Sequence, residues 1–344
     1  MAGAKGYRSY RGRGTKKKIL LAVLLCLVIL AAAVVIWVQG HMVYDADGTP
    51  HLDIPWQQTG EQEPQEELDL VIEEPEAPPA VHALSLTAAP LTQVSLKEAR
   101  TAAEGSYNAF AVTLKDSGGT VYFDSRTALS GTVETAADTA AALESLTQAD
   151  GGVTAIARIS ALLDPVAARA DVEGMGLMNT GGYIFYDGNN LNWLDPSKEA
   201  TQTYLSGIAV EAAELGFQEI LLTDFSFPTE GSLDRIAYPE AGTRESLRAC
   251  LAAIRTALDA AGYEEVALSV ETTARVIVGG LDETAGVALT DLADVVDRVY
   301  AVTTEEQAPA LSAAAEAAGV AFVPELTAAP TGTAAEGSYL LLAE

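Results

Sequence analysis

The sequence predicts an α/β fold, a (β/α)8 TIM barrel preceded by one transmembrane helix and an acidic tether. Three observations carry this expectation. An uncharged apolar run of twenty residues stands near the start, and an acidic, proline-containing stretch follows it. Behind these come about 264 residues in which apolar strand-like segments alternate with helical ones.

The apolar run is Ile19 to Val38, ILLAVLLCLVILAAAVVIWV. At about 1.5 Å of rise per residue it spans a hydrocarbon core of roughly 30 Å. A cleaved signal peptide is the rival reading, but its apolar region normally covers about 7–15 residues and ends at small residues. Here the run ends in Ile36, Trp37 and Val38, and Trp suits a membrane interface. Lys5, Arg8, Arg11, Arg13, Lys16, Lys17 and Lys18 precede it with no acidic residue among them. Cationic flanks stay inside, so residues 1–18 are expected in the cytoplasm and the C-terminal bulk outside. The expected location is the cell membrane, as a single-pass protein with an extracellular domain.

Residues 39–80 read as linker. Between His41 and Ala80 stand eleven acidic residues, several prolines and no Lys or Arg. Such a composition cannot bury enough apolar surface to order itself. A short hairpin is expected at its start, within MVYDADGTPHLDIPW (42–56). Without the seven N-terminal cations, 13 Lys and Arg face 48 Asp and Glu, a balance of −35. That charge argues against nucleic acid or anionic lipid as the partner of the exported part. Cys26 lies in the apolar run and Cys250 in a helical pattern, so no disulfide is expected. The histidines, His41, His51 and His82, all precede or open the last segment, and no His or Cys cluster offers a zinc site.

From residue 81 to 344, strand-like segments read at 82–88, 108–114, 153–159, 219–223, 265–270, 297–302, 320–323 and 338–342. Helical stretches read at 95–104, 135–147, 198–215, 243–262 and 304–318, with shorter ones near 164–170 and 287–293. Continuous apolar strands separated by amphipathic helices indicate a parallel sheet covered on its outer face. Eight units of this length favour closure into a barrel, with an open doubly wound sheet as the alternative. No G-x-G-x-x-G joins a strand to a helix, and no cofactor motif is present.

In such a barrel, chemistry belongs to the loops at the carboxyl ends of the strands. After strand two, KDSGGTVYFDS (115–125) ends the strand at Lys115 and Asp116 and turns at Gly118-Gly119. Strand three carries Arg158, and the excursion behind it holds GGYIFYDGNNLNWLDP (181–196), with Trp193 and Asp195. Its Tyr, Asn, Asp and Trp are residue types that stack on sugar rings and bond hydroxyls, although Trp193 serves equally as loop packing. Strand four ends in TDFSFPTEG (223–231) with Asp224, and strand five in SVETTA (269–274) with Glu271. Carboxyl groups on neighbouring strand ends can stand about 5–5.5 Å apart, the spacing of a retaining glycosidase pair. One would be the nucleophile, and the other a proton donor whose pKa is raised by burial and by its partner's charge.

The order KDSGGTVYFDS, AIARISALLDP, LNWLDPSKEA, AAELGFQEILLTDFSFP and ALSVETTA resembles a glycoside-hydrolase family of bacterial barrel proteins, over about residues 83–302. Members are often carried on membrane-anchored or exported chains. The family is distantly similar to the α-amylase-type barrels, whose nucleophile and acid/base lie on strands four and five. The resemblance implies hydrolysis of an extracellular or cell-wall polysaccharide, for which the strand ends offer Asp224 and Glu271. Lys115, Asp116, Arg158, Trp193 and Asp195 fit the family's pattern as substrate-binding residues or equally as architecture, Arg158 by pairing with Asp116 or Glu271, and Tyr300 is a further candidate for substrate contact or for aromatic packing. The chain departs from the pattern at strand four. There the family's Phe-Asp-Tyr-Val-Arg-Phe-Pro, aligned on Phe227-Pro228, puts Thr223 at the Asp and Ser226 at the Arg. A one-residue offset turns a strand side chain to the opposite face, so Asp224 substitutes only if the strand bulges or ends before it. Glu271 replaces an Asp, and YAVTTEEQ (300–307) replaces the usual ending of strand six. A catalytically degenerate barrel that binds glycan, or holds a place in the envelope, is the alternative.

Overall fold

The computed structural model describes residues 15–40, 42–44, 50–52, 80–103, 105–148 and 153–342. The predicted basic segment before Thr15 and most of the predicted linker lie outside the described residues. The chain divides into two compact units, Met1–Glu76 and Ala77–Glu344.

In the first unit a helix runs over Thr15–Gly40, through the whole apolar run. Its side chains are described at Leu24 and from Leu27 to Gln39. Leu24, Leu27, Val28, Ile29, Leu30 and Ile36 are each about 60 % exposed or more. Among the described residues, no helix is long and apolar enough to cross a membrane. Met42–Tyr44 and Pro50–Leu52 pair antiparallel as the short hairpin expected there.

In the second unit the strands follow the predicted apolar segments closely. They are β1 (His82–Ser85), β2 (Ala109–Lys115), β3 (Thr154–Ser160), β4 (Glu219–Thr223), β5 (Ala267–Glu271), β6 (Arg298–Val302), β7 (Ala321–Leu326) and β8 (Tyr339–Leu341). All eight pair in parallel, and β8 returns to β1, so the sheet is closed rather than open. Side chains of a strand alternate between two faces. One set faces the helices, and the other fills the lumen with Ala83, Ala109, Ala111, Ile156, Leu221, Tyr300, Val323 and Leu340, all essentially without exposure. Small residues on β1 and β2 leave room for Tyr300, the largest of the set.

The outer layer includes helices Gln93–Ala102, Thr139–Thr147, Glu199–Glu214, Thr243–Ala260 and Ala308–Ala317. The strongly amphipathic Thr243–Ala260 buries Leu247, Cys250, Leu251, Ile254 and Leu258 against the sheet. Several short elements among the described residues escaped the sequence reading, including the helix Ala274–Gly279 and a small hairpin joining Leu281–Asp282 to Val287–Ala288. They are too short for periodicity to register.

Candidate functional site at the barrel mouth

Parity along the strands decides which side chains meet. Counting up from the lumen layer, the next inward positions are Ser85 on β1, Thr113 on β2, Arg158 on β3, Glu271 on β5, Val302 on β6 and Glu325 on β7. These residues line an open cavity of about 370 Å³ at the carboxyl ends of the strands. The hollow beneath Thr243–Ala260, between Phe225 and Asp291, holds only about 10 Å³. That is too small for a sugar and roughly the size of one water.

Arg158 crosses the lumen and organises the mouth. Its Nη2 donates to Glu271 Oε2 at 2.7 Å, and its Nη1 donates to Ser85 Oγ at 3.3 Å. The same Nη2 stands 3.5 Å from Glu325 Oε1. The gap between those two glutamate oxygens therefore cannot exceed the sum of the two distances to their shared nitrogen. Burial pushes the Glu271 carboxyl up, Arg158 pulls it down, and the charge of Asp224 adds to the rise. Glu325 is pushed up to about 8, first by burial and then by the charge of Glu271, with Arg158 opposing. Among the described residues, neither Glu325 oxygen has a hydrogen-bond partner.

Asp224 resolves the offset at strand four. β4 ends at Thr223, and Asp224 turns into the left-handed region with φ 51°. Asp is among the few residues that adopt that conformation without a large penalty. The turn brings its carboxylate to β3, where the Ser160 hydroxyl donates to Oδ2 at 2.6 Å. Ser160 shares its strand face with Arg158, and the charge of Asp224 reaches Glu271, although Asp224 is not among the residues that line the mouth cavity.

The remaining predicted site residues are held elsewhere, each by a structural partner. Lys115 is fully buried beyond a break in the β2 register, donates to the Ser160 carbonyl at 2.6 Å and pairs with Asp164 at 3.0 Å. Asp116 accepts from the amides of Gly118 and Thr120 and from the Tyr122 hydroxyl at 2.7 Å, which closes the turn. Trp193 is 9 % exposed and donates Nε1 to Asp187 within its own loop. Asp195 accepts from the amide and hydroxyl of Ser197.

Tyr300 requires a correction. It is fully buried below the mouth, and its hydroxyl donates to Glu219 Oε1 at 2.8 Å. Ser269 and Arg298 complete that network on the same carboxylate. Tyr300 is not among the residues that line the mouth cavity, and its hydroxyl is already committed to Glu219. Sequence reasoning also missed Glu325: the predicted strand stops at residue 323, just before Pro324, whereas β7 runs on to Leu326.

The family model described as "Putative glycosyl hydrolase domain" (DUF4015) matches residues 83–303. No curated relative matches the chain. Among solved structures, the chain resembles the glycoside hydrolase domain of PgaB (BpsB) from Bordetella bronchiseptica at 16 % identity and TM-score 0.52, over 72 % of this chain and 84 % of that one. It also resembles the catalytic domain of beta-amylase from Paenibacillus polymyxa at 10 % identity and TM-score 0.51, over 77 % of this chain and 91 % of that one. A hypothetical protein from Ruminiclostridium thermocellum matches at 26 % identity and TM-score 0.46, over 54 % of this chain and 96 % of that one. Likeness to solved structures at these identities concerns the fold alone.

Proposed function

We propose that this chain, which belongs to the family described as "Putative glycosyl hydrolase domain", cleaves glycosidic bonds at the mouth of its barrel through the carboxyl groups of Asp224 and Glu271. The observation that carries the reading is Glu271. It lines the open cavity, its carboxyl is raised by burial, and the charge of Asp224 contributes to that rise. A carboxyl whose pKa is raised beside a second carboxyl group is the kind of pairing that glycoside hydrolysis uses. Glu271 is then the proton donor to the leaving oxygen. Asp224, oriented by Ser160, is the nucleophile or the base for water. Arg158 holds Glu271 before substrate arrives and stabilises its carboxylate after the proton has left.

The same ion pair favours a second reading, in which the mouth grips a glycan without cutting it. The Arg158–Glu271 contact of 2.7 Å occupies the donor's carboxyl, and Thr223 stands where the resemblance expects an acid. Reducing-end release by the full-length chain on a polysaccharide panel, beside Asp224→Asn, separates the two. Hydrolysis that falls by about 10²-fold or more in the variant supports cleavage. Binding with no release in either protein supports the gripping role.

The polysaccharide partner is extracellular or in the cell wall if the exposed apolar helix Thr15–Gly40 anchors the chain with the barrel outside. The uncovered leucines and isoleucines of that helix support this placement, since soluble surfaces rarely carry so continuous an apolar face. Alkaline extraction of membranes, with protease access to the barrel in intact cells, tests it. Release by alkali, or a barrel shielded from the protease, overturns it.

A further inference from the structure

The mouth holds one more carboxyl than the proposed pair uses. Glu325 is fully buried, yet among the described residues neither of its oxygens has a hydrogen-bond partner. Among those residues its ion-pair contact is Arg158 at 3.5 Å, and that guanidinium is already committed to Glu271 at 2.7 Å and to Ser85. A buried acceptor left without a donor is costly, and native structures seldom keep one without a purpose. The wall supplies no lysine and no second arginine, so a further cationic partner for this carboxyl would come from the cavity.

The surroundings specify what kind of donor. Of the chain's 48 Asp and Glu, eleven lie in residues 41–80, so residues 81–344 carry 37 against 13 Lys and Arg. Such a field concentrates cations and repels polyanions. Within the mouth, Glu271 and Glu325 share one arginine, and the charge of Asp224 reaches Glu271.

We propose that the mouth is a subsite for a glycan bearing free ammonium groups, an amino sugar without its N-acetyl, and that Glu325 receives the ammonium. This rests on the glycan-active reading of the mouth. An ammonium brings three donors and a positive charge to an orphaned carboxyl. An N-acetyl amide brings one neutral donor and a methyl group, while a uronate or a sulfated sugar brings a negative charge to face the existing carboxylates. In the empty site the Glu325 carboxyl is kept protonated by burial and by Glu271 on β5, against Arg158 on β3, with the Tyr300 phenol of β6 beneath it. The arriving ammonium takes over the role of that proton, so binding releases a proton to the buffer.

Calorimetric titration of the full-length chain at neutral pH tests this with three oligosaccharides of equal length: glucosamine, N-acetylglucosamine and galacturonic acid. The expected result is a preference of about tenfold or more for the glucosamine oligomer. It persists at high salt, which screens the surface field but not a buried contact. The preference shrinks to a few-fold at most in Glu325→Gln. The heat of binding of the glucosamine oligomer varies with the ionisation enthalpy of the buffer in the wild type only. Equal or tighter binding of either other oligomer by the wild type overturns the inference and leaves the glycan-active reading standing, as does a preference that survives Glu325→Gln. If no glycan binds, the reading and the inference fall together.

Discussion

Replacing Glu325 by Gln is expected to stabilise the protein by an amount that grows from about pH 5 and is complete above about pH 8. The carboxyl sits at about 8 in the folded chain and near its ordinary value of about 4.5 when unfolded. Below the lower value it is protonated in both states and costs nothing extra. As pH rises from about 4.5 towards 8, the unfolded chain loses the proton while the folded chain keeps it, so folding stability falls. Each unit of displacement corresponds to about 1.4 kcal/mol, which puts the full loss at up to about 5 kcal/mol above pH 8. Gln preserves the shape and removes the titration. Urea unfolding of the two proteins should therefore give matching midpoints at pH 5 and separate progressively towards pH 9, with the variant the more stable. At roughly 2–4 °C per kcal/mol for a chain of this size, thermal melts at pH 9 should differ by about 5 °C or more. Parallel curves from pH 5 to pH 9 would refute the placement of Glu325 as a buried, unpartnered acid.

Two further substitutions separate scaffold from site. Tyr300→Phe removes one of the bonds to buried Glu219 and should cost about 1–2 kcal/mol in urea unfolding without changing glycan affinity; a loss of affinity at unchanged stability would return Tyr300 to the substrate. Gly119→Ala should cost about 2 kcal/mol or more in the same assay. Gly119 has φ +90°, and an added Cβ would stand 2.5 Å from Asp164 Oδ1, the partner of buried Lys115. A neutral result there would mean the turn is free to rearrange.

The eight strands were legible because parallel barrel strands are buried on both faces and read as unbroken apolar runs, which composition alone reveals. Segments such as EILLT over β4 needed no partner to be recognised. The site was legible only in part. Arg158 and Glu271 stand out as charges interrupting strand patterns, and parity sends both into the lumen. Asp224 could be named but not oriented, since a left-handed φ at one residue leaves no trace in spacing. Glu325 was hidden by Pro324, a residue that normally marks the end of a strand and here continues one, opposite Ala301. Lys115, Asp116, Trp193 and Asp195 share residue types with sugar-binding sites. Their partners Asp164, Tyr122, Asp187 and Ser197 lie outside the helices and strands, and only folded geometry shows that these groups are already satisfied.

The central claim, that the carboxyl cluster around Arg158 cleaves glycan, is tested most directly by Glu271→Gln. Wild type and variant are compared for oligosaccharide affinity and for release of reducing ends at the same protein concentration. The account predicts affinity retained within a few-fold and a rate that falls by about 10²–10⁴-fold, the contribution of a positioned proton donor. Equal rates of release in the two proteins would contradict it.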